Sequence, residues 1–369
     1  MNSNKYIKNA IPGGTRDLIF EEAIAPRVIS NSLIDLYMST GFKPVETPVT
    51  EFYNVFDHGK RDISEDSIFK FNDMTGNGSG KLVALRPDNT SPMLRVATSK
   101  LRDEQLPLLL CYCQPIFRNH IAFHAKRDEI LQSGVEIIGG DRTEGDLRVV
   151  FTALESLRTC TTDNGLNFKL EIGHASLFDA LLSECELTVG EKENLRAYIS
   201  AKNSGGYAFE LNMTNEYAIE LARVLPRLFG GIETITKART LASNQKANEI
   251  LDYLESIYNT FCEAGYGDYL MFDLGMVQKI NYYTGLVFRG YISGIGEAVL
   301  SGGRYDDLAR DFGSDESACG FGVNVTAAAE LVVKPLPTIT PLSFANGAGD
   351  VIAARAFVES NCSEVKKND

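Results

Sequence analysis

The stretch from Phe117 to Glu136 reads FRNHIAFHAKRDEILQSGVE. It predicts two antiparallel strands joined by a loop, with Arg118 near one end and Gln132 and Glu136 near the other. Because side chains alternate along a strand, Gln132 and Glu136 share one face of it. Such polar groups can converge on a small zwitterion, which indicates a pocket. The alternative interpretation is an ordinary hairpin that carries surface charges.

The composition around this stretch is that of a globular protein. The chain has 369 residues, of which 44% are hydrophobic and 23% charged, and this length is typical of about two domains. No window approaches the ~20 apolar residues that span a bilayer, and the first residues lack the apolar centre of a secretory signal. Seven cysteines, an odd and scattered set, favour a reducing compartment over a disulfide framework. We therefore expect a cytoplasmic protein.

The net charge argues against a nucleic-acid partner. A protein that grips phosphate backbones normally concentrates Lys and Arg, whereas this chain carries a formal charge of -13. A local basic patch would remain compatible with that total. We expect neither a nucleic-acid nor a membrane partner.

The order of predicted elements indicates the fold class. Strand patterns occur early, a largely helical region runs from about residue 176 to 264, and strand patterns return in the last third. This order predicts an α+β fold built on an antiparallel sheet flanked by helices, with residues 1–333 as the core and 334–369 as a short tail. The individual predictions include helices at about 21–40, 91–105 and 143–159, an extended segment at 41–52, and a strand pair around the turn MTGNGSG.

Five motifs in unbroken order resemble the class II aminoacyl-tRNA synthetase catalytic core of the histidyl type. The resemblance covers about Gly13 to Glu330. The matching segments are ETPVTE with Pro48 (motif 1), LRPDNT (substrate loop), PIFR with Gln132 and Glu136 (motif 2), NYYTGLVF (histidine-binding segment), and SGGRYDDL with ACGFG (approach to motif 3).

The resemblance implies a histidine pocket. Asp88 and Thr90 would hold the α-ammonium group, and Gln132 can bond both the amine and the carboxylate. Glu136 together with Tyr282 or Tyr283 would bracket the imidazole ring. The complete expected set is Asp88, Thr90, Arg118, Gln132, Glu136, Tyr282, Tyr283, Gly302 and Gly303, the glycines allowing close approach of the backbone to the ligand. A packing role in the core remains the alternative for the two tyrosines.

The chain departs from the synthetase pattern where ATP would be bound. Basic or acidic residues of the synthetase motifs are replaced at Gln278, Ala327, His120, Ile121 and Asp128, and only Arg118 keeps its family identity. Each lost donor typically costs ~10²- to 10³-fold in rate, so adenylation is expected to be lost. The resemblance also leaves no room for a full anticodon-binding domain. We expect no catalytic residue, no metal and no cofactor.

A synthetase-like core with these departures resembles the ATP phosphoribosyltransferase regulatory subunits. That resemblance implies a short catalytic subunit as partner, a homodimer within a hetero-oligomer, and histidine as effector. The first alternative is a truncated, divergent histidyl-tRNA synthetase or related ligase. The second is an RNA-sensing module of synthetase descent, which the charge disfavours.

Two smaller patterns favour structural roles. His120 and His124 are four residues apart, but no third ligand type accompanies them, so a metal pair is not expected. Arg304 and Asp306 within GGRYD are predicted to pair and hold a turn.

Overall fold

The computed structural model describes residues 10–57, 63–73, 80–120, 127–161, 165–202, 215–277, 282–331 and 352–356. The chain divides into two compact units, Met1–Val333 and Lys334–Asp369. Within the second unit, the described residues 352–356 form one short helical segment. In the described ranges no helix combines the length and the apolar character needed to cross a membrane.

The first unit is built on two sheets. The strands are β1 Lys43–Pro44, β2 Thr50–Phe52, β3 Lys70–Asp73, β4 Lys81–Leu85, β5 Leu108–Phe117, β6 Glu129–Ile138, β7 Phe168–His174, β8 Phe229–Gly230, β9 Leu270–Asp273, β10 Leu286–Ile292, β11 Leu300–Arg304 and β12 Ala318–Asn324. The larger sheet has the order β1-β5-β6-β12-β11-β10-β7-β9-β8, and the smaller has the order β2-β4-β3. The predicted antiparallel sheet is confirmed for most pairs, but β1 with β5 and β7 with β9 are parallel. The larger sheet is therefore mixed.

Ten α-helices accompany the sheets in the described residues of the first unit. They are α1 Glu21–Ser39, α2 Thr90–Thr98, α3 Arg142–Thr161, α4 Leu177–Leu181, α5 Val189–Ser200, α6 Glu216–Val224, α7 Glu233–Arg239, α8 Gln245–Glu263, α9 Asp306–Asp311 and α10 Val325–Ala329. The segment between β7 and β9 is largely helical, but β8 within it joins the larger sheet. Its description as an inserted subdomain stays a prediction.

Helix α1 shows why the core lies where it does. Its buried residues Ala25, Ile29, Leu33 and Tyr37 recur every four positions and form one apolar stripe. Ile29, Leu33 and Tyr37 of this stripe belong to the main core together with residues of α3 and the central strands. Gly41 follows the helix with φ +95°, a left-handed conformation that glycine adopts without steric cost. The predicted end of the helix at this glycine is confirmed.

The side chains of the central strands alternate between the two faces of the larger sheet. On β6, Val135 and Ile137 join the main core, whereas Ile138 joins a second cluster on the opposite face. That second cluster also contains Met93 and Leu94 of α2. Gln132 and Glu136 have the same strand parity as Ile138 and therefore lie on the α2 face.

Candidate functional site

The hairpin of β5 and β6 brings two predicted pocket residues under α2. The strands pair antiparallel over their whole length, with Gln114 opposite Gln132 and Leu110 opposite Glu136. This arrangement confirms the predicted strand pair and the shared face of Gln132 and Glu136. Within the loop between the strands, residues 121–126 lie outside the described residues, and they include Ile121 and His124.

Glu136 is the buried acid of the site, with only 1% of its surface exposed. Its Oε1 accepts a hydrogen bond of 2.9 Å from Thr90 Oγ1, and its Oε2 accepts one from the hydroxyl of Tyr305. Burial raises the pKa of Glu136 to about 8, the two hydrogen bonds oppose that rise, and the nearby charge of Asp88 adds to it. A buried carboxyl group with no cation among these neighbours favours a ligand that brings a donor or a positive charge.

Two glycines of β12 make room for the polar side chains of β6. A Cβ at Gly320 would lie 1.9 Å from Glu136 Oε2 and 2.4 Å from the carbonyl oxygen of Val135. A Cβ at Gly322 would lie 2.5 Å from Gln132 Nε2. The ACGFG segment needs glycine at these two positions because the side chains of Glu136 and Gln132 occupy the space that a Cβ would fill.

Residues at the start of α2 and just before it form the next part of the site. Asp88 Oδ1 accepts a 2.8 Å hydrogen bond from the backbone N–H of Ser91 in the first turn of the helix. Thr90 reaches Glu136, as described above, and the buried Asn89 donates to Gln132 Oε1 over 3.0 Å. The structure therefore brings Asp88, Thr90, Gln132 and Glu136 together.

A cluster of three tyrosines reaches Glu136 through Tyr305, and the sequence analysis singled out only the other two, Tyr282 and Tyr283. The rings of Tyr282 and Tyr283 are 4.5 Å apart, and Tyr282 contacts Tyr305 edge to face at 6.4 Å. The hydroxyl of Tyr305, which the sequence analysis did not single out, donates a hydrogen bond to Glu136. It follows Arg304 directly in the GGRYD motif, so the motif itself was the available signal.

The two predicted pocket glycines pack against protein atoms. A Cβ at Gly302 would lie 2.4 Å from both Gly320 O and Phe321 Cβ. One at Gly303 would lie 2.6 Å from Leu286 O and 3.0 Å from the ring of Tyr283. Close packing between neighbouring strands already explains both glycines, and their contact with a ligand stays a prediction.

A cleft of about 650 Å³ adjoins Gln132, and Arg118 lines it. Arg118 Nε donates to the carbonyl oxygen of Pro87 over 2.9 Å, which ties the cleft to the loop before α2. Sequence reasoning missed Arg127, a second cation in the cleft. It forms an ion pair of 2.5 Å with Glu330 across 203 residues of sequence.

Two of the positions that depart from the synthetase pattern line this cleft, and a third, Asp128, contacts one of them. Ala327 and His120 line it, and His120 Nδ1 lies 3.1 Å from Asp128 Oδ1. The apolar Ala327 contributes no charge, and the carboxylate of Asp128 faces the imidazole. Gln278 lies outside the described residues.

Arg304 forms a buried ion cluster behind the site. Its Nη1 is 3.0 Å from Asp306 Oδ1, and its Nη2 is 2.9 Å from Asp146 Oδ1. The predicted pairing of Arg304 with Asp306 is confirmed. Burial lowers the pKa of Arg304, but the neighbouring carboxylates of Asp146 and Asp306 raise it, and the net result is a pKa above the usual value for arginine. The cluster joins α3, β11 and α9.

Among the described residues, no group of three or more His, Cys, Asp or Glu side chains is arranged to hold a metal ion. Six of the seven cysteines lie in described segments, and all six are free thiols. Burial raises the pKa of Cys111 to about 11 and that of Cys160 to about 12, so these thiols stay protonated at neutral pH.

The geometry can be compared with known proteins. Residues 14–328 match the family model described as histidyl-tRNA synthetase. The chain is 39% identical to the ATP phosphoribosyltransferase regulatory subunit of Clostridium kluyveri over 91% of this chain and 83% of that protein. It is 41% identical to the protein of the same name from Clostridium acetobutylicum over 86% of this chain and 78% of that protein.

Solved structures agree with these relatives. A Bacillus halodurans C structure, described as an ATP phosphoribosyltransferase regulatory subunit/histidyl-tRNA synthetase, superposes with a TM-score of 0.78 at 31% identity, covering 88% of this chain and 83% of that one. The predicted class II synthetase-like α+β fold is confirmed. The chain belongs to the ATP phosphoribosyltransferase regulatory subunit family, within the histidyl-tRNA synthetase-like proteins.

Proposed function

We propose that this chain is the non-catalytic regulatory subunit that a short-form ATP phosphoribosyltransferase requires for activity, and that it reports histidine to that partner by feedback inhibition. Its relatives carry the regulatory-subunit name, and the observation that carries the histidine role is the buried Glu136 held between Thr90 and Tyr305. A carboxyl group in this position suits the donor groups of an imidazole ring.

The proposed pocket divides the ligand among the predicted residues. The α-ammonium group lies near Asp88 and Thr90, the carboxylate near Gln132 and Arg118, and the imidazole between Glu136 and the tyrosines. Histidine would inhibit because it binds one arrangement of the hetero-oligomer more tightly, with a coupling of roughly 1 to 3 kcal/mol if typical. The homodimer at the centre of that assembly is part of the proposal.

The residues at the cleft next to this pocket support the proposal that the chain does not catalyse adenylation. Amino-acid activation requires preorganised cations around the phosphates of ATP. Here the cation Arg127 is paired with Glu330, and Ala327 offers no charge at its position. The chain would therefore bind the amino acid without activating it.

Isothermal titration of histidine into the full chain tests the pocket. Glu136→Ala removes the carboxyl group that faces the imidazole, and we expect the affinity for histidine to fall at least about tenfold. Glu129→Ala is the matched control, since Glu129 is an exposed acid on the same strand. Undiminished histidine binding by Glu136→Ala would refute the assignment of the pocket.

The second candidate is a divergent histidyl-tRNA synthetase, which the matching family model favours. Histidine-dependent exchange of pyrophosphate with ATP by the chain alone would establish it. The regulatory proposal expects no such exchange.

A further inference from the structure

A buried chain of polar side chains runs from the segment around Thr47 to the proposed pocket. Its members are Thr47, Arg86, Gln114 and Asn89, and each is at most 8% exposed. This series of hydrogen-bonded side chains ends at Gln132 on β6. Because the members are buried, each polar atom depends on its neighbour for a hydrogen bond.

The orientation of the first amide is fixed by groups that can only donate. Arg86 Nη1 donates to Gln114 Oε1 over 2.9 Å, and the backbone N–H of Thr47 donates to the same oxygen over 3.1 Å. Neither group can accept a hydrogen bond, so the oxygen of Gln114 must face them. The nitrogen of Gln114 consequently faces the other way.

That orientation is passed to the next two amides. Gln114 Nε2 donates to Asn89 Oδ1 over 3.1 Å, and Asn89 Nδ2 donates to Gln132 Oε1 over 3.0 Å. With its oxygen directed at Asn89, Gln132 turns Nε2 toward Gly322, where a Cβ would be only 2.5 Å away. Gln132 and Gly322 both line the cleft.

We propose that Arg86, Gln114 and Asn89 are positioning residues, which fix the amide of Gln132 with its N–H group toward the ligand. An N–H donor at this point selects a ligand with an acceptor there, and the carboxylate of an amino acid is the strongest such group. The inference rests on the proposed histidine pocket and refines it. Gln132 serves the carboxylate, and not the amine and the carboxylate equally.

We call the hydrogen-bonded series Arg86, Gln114, Asn89 and Gln132 the relay. Gln114→Glu tests this relay from a position remote from the ligand. The carboxylate is isosteric with the amide, and the adjacent Arg86 guanidinium keeps it ionised. It presents only acceptors, so Asn89 must turn its nitrogen to residue 114 and its oxygen to Gln132. Gln132 then donates to Asn89 and turns its own oxygen to the ligand.

The readout is the preference for L-histidine over L-histidinamide, measured by titration into the full chain. These two ligands differ only in the carboxylate and the amide that replaces it. We expect the wild-type chain to prefer histidine, and the Gln114→Glu variant to reduce that preference at least about tenfold. Gln114→Leu is the control, because it breaks the relay without inverting it and should weaken both ligands.

The outcomes separate the relay from the pocket. If Gln114→Glu weakens both ligands by the same factor, or changes neither affinity, the relay is refuted while the pocket stands. If the wild-type chain binds neither ligand, the proposed pocket fails and the relay falls with it. Should Gln114→Glu fail to fold, Asn89→Asp at pH 8 inverts the same chain one step closer to Gln132, and an unchanged preference there refutes the relay.

Discussion

At the scale of single residues, Glu136 differs most from what its type would suggest. Carboxylates are almost never fully buried unless they are paired with a cation, yet this one accepts hydrogen bonds only from neutral hydroxyl groups among the contacts described above. Burial raises its pKa to about 8, so the folded protein holds a proton here at neutral pH. A buried ionisable group with a strongly shifted pKa is typical of a functional site.

This burial predicts a pH dependence of stability. Between pH 4.5 and 8 the folded state holds the proton that an unfolded glutamate has lost, so Glu136 lowers the free energy of unfolding by up to about 1.4 kcal/mol for each pH unit of increase. Glu136→Gln cannot ionise and should remove this slope. Urea denaturation of both proteins at pH 5, 6, 7 and 8 measures the difference. If the difference in unfolding free energy between the two proteins is the same at all four pH values, the raised pKa of Glu136 is contradicted.

The sequence revealed only part of the site at this scale. Gln132, Glu136 and Thr90 could be predicted to meet, because strand alternation and the motifs constrain them. The GGRYD motif was a signal for Tyr305, but its hydrogen bond to Glu136 and the hydrogen bonds through Gln114 could not be predicted, because they depend on how β6, β12 and the loop before α2 are placed in three dimensions. Local periodicity carries no information about such long-range pairing.

At the scale of secondary-structure elements, helix α2 is shorter than its sequence pattern suggested. The pattern predicted a helix from Ser91 to Gln105, but α2 spans Thr90–Thr98. Residues 102–107 are exposed, so a longer helix would have had no apolar face to bury there. At the other end the helix begins one residue early, because Asp88 accepts from the backbone N–H of Ser91. The end of α1 was predictable because Gly41 marks it.

The contact of β12 with β6 makes a stability prediction for the strand pair. In Gly320→Ala the new methyl group meets Glu136 Oε2 and the backbone oxygen of Val135, and the backbone cannot move aside cheaply. We expect a loss of about 1–3 kcal/mol in unfolding free energy, together with weaker histidine binding. Thermal and chemical denaturation measure the loss.

A second glycine provides the control for this change. Gly190 lies in α5, and a Cβ there would meet no atom within 4 Å apart from its chain neighbours and the backbone of its own helix. Gly190→Ala should be neutral or stabilise the protein by up to about 1 kcal/mol. Equal effects of the two substitutions would show that the space above Gly320 is not needed for Glu136.

At the scale of the whole molecule, the sequence predicted the fold well. Five motifs in order constrain the same α+β sheet that the structure contains, and strands early and late in the chain do meet in that sheet. The parallel pairing of β1 with β5 was not predictable, because a two-residue strand has too little pattern to reveal its direction. The assembly with a partner is a property of surfaces that sequence periodicity does not encode.

The measurement that tests the central claim most directly joins the chain to its proposed partner. The purified chain is added to a short-form ATP phosphoribosyltransferase from the same organism, and formation of phosphoribosyl-ATP is assayed with and without histidine. The account predicts that the chain activates the enzyme and that histidine reverses the activation. Absence of both effects, together with pyrophosphate exchange by the chain alone, would contradict it and identify a synthetase instead.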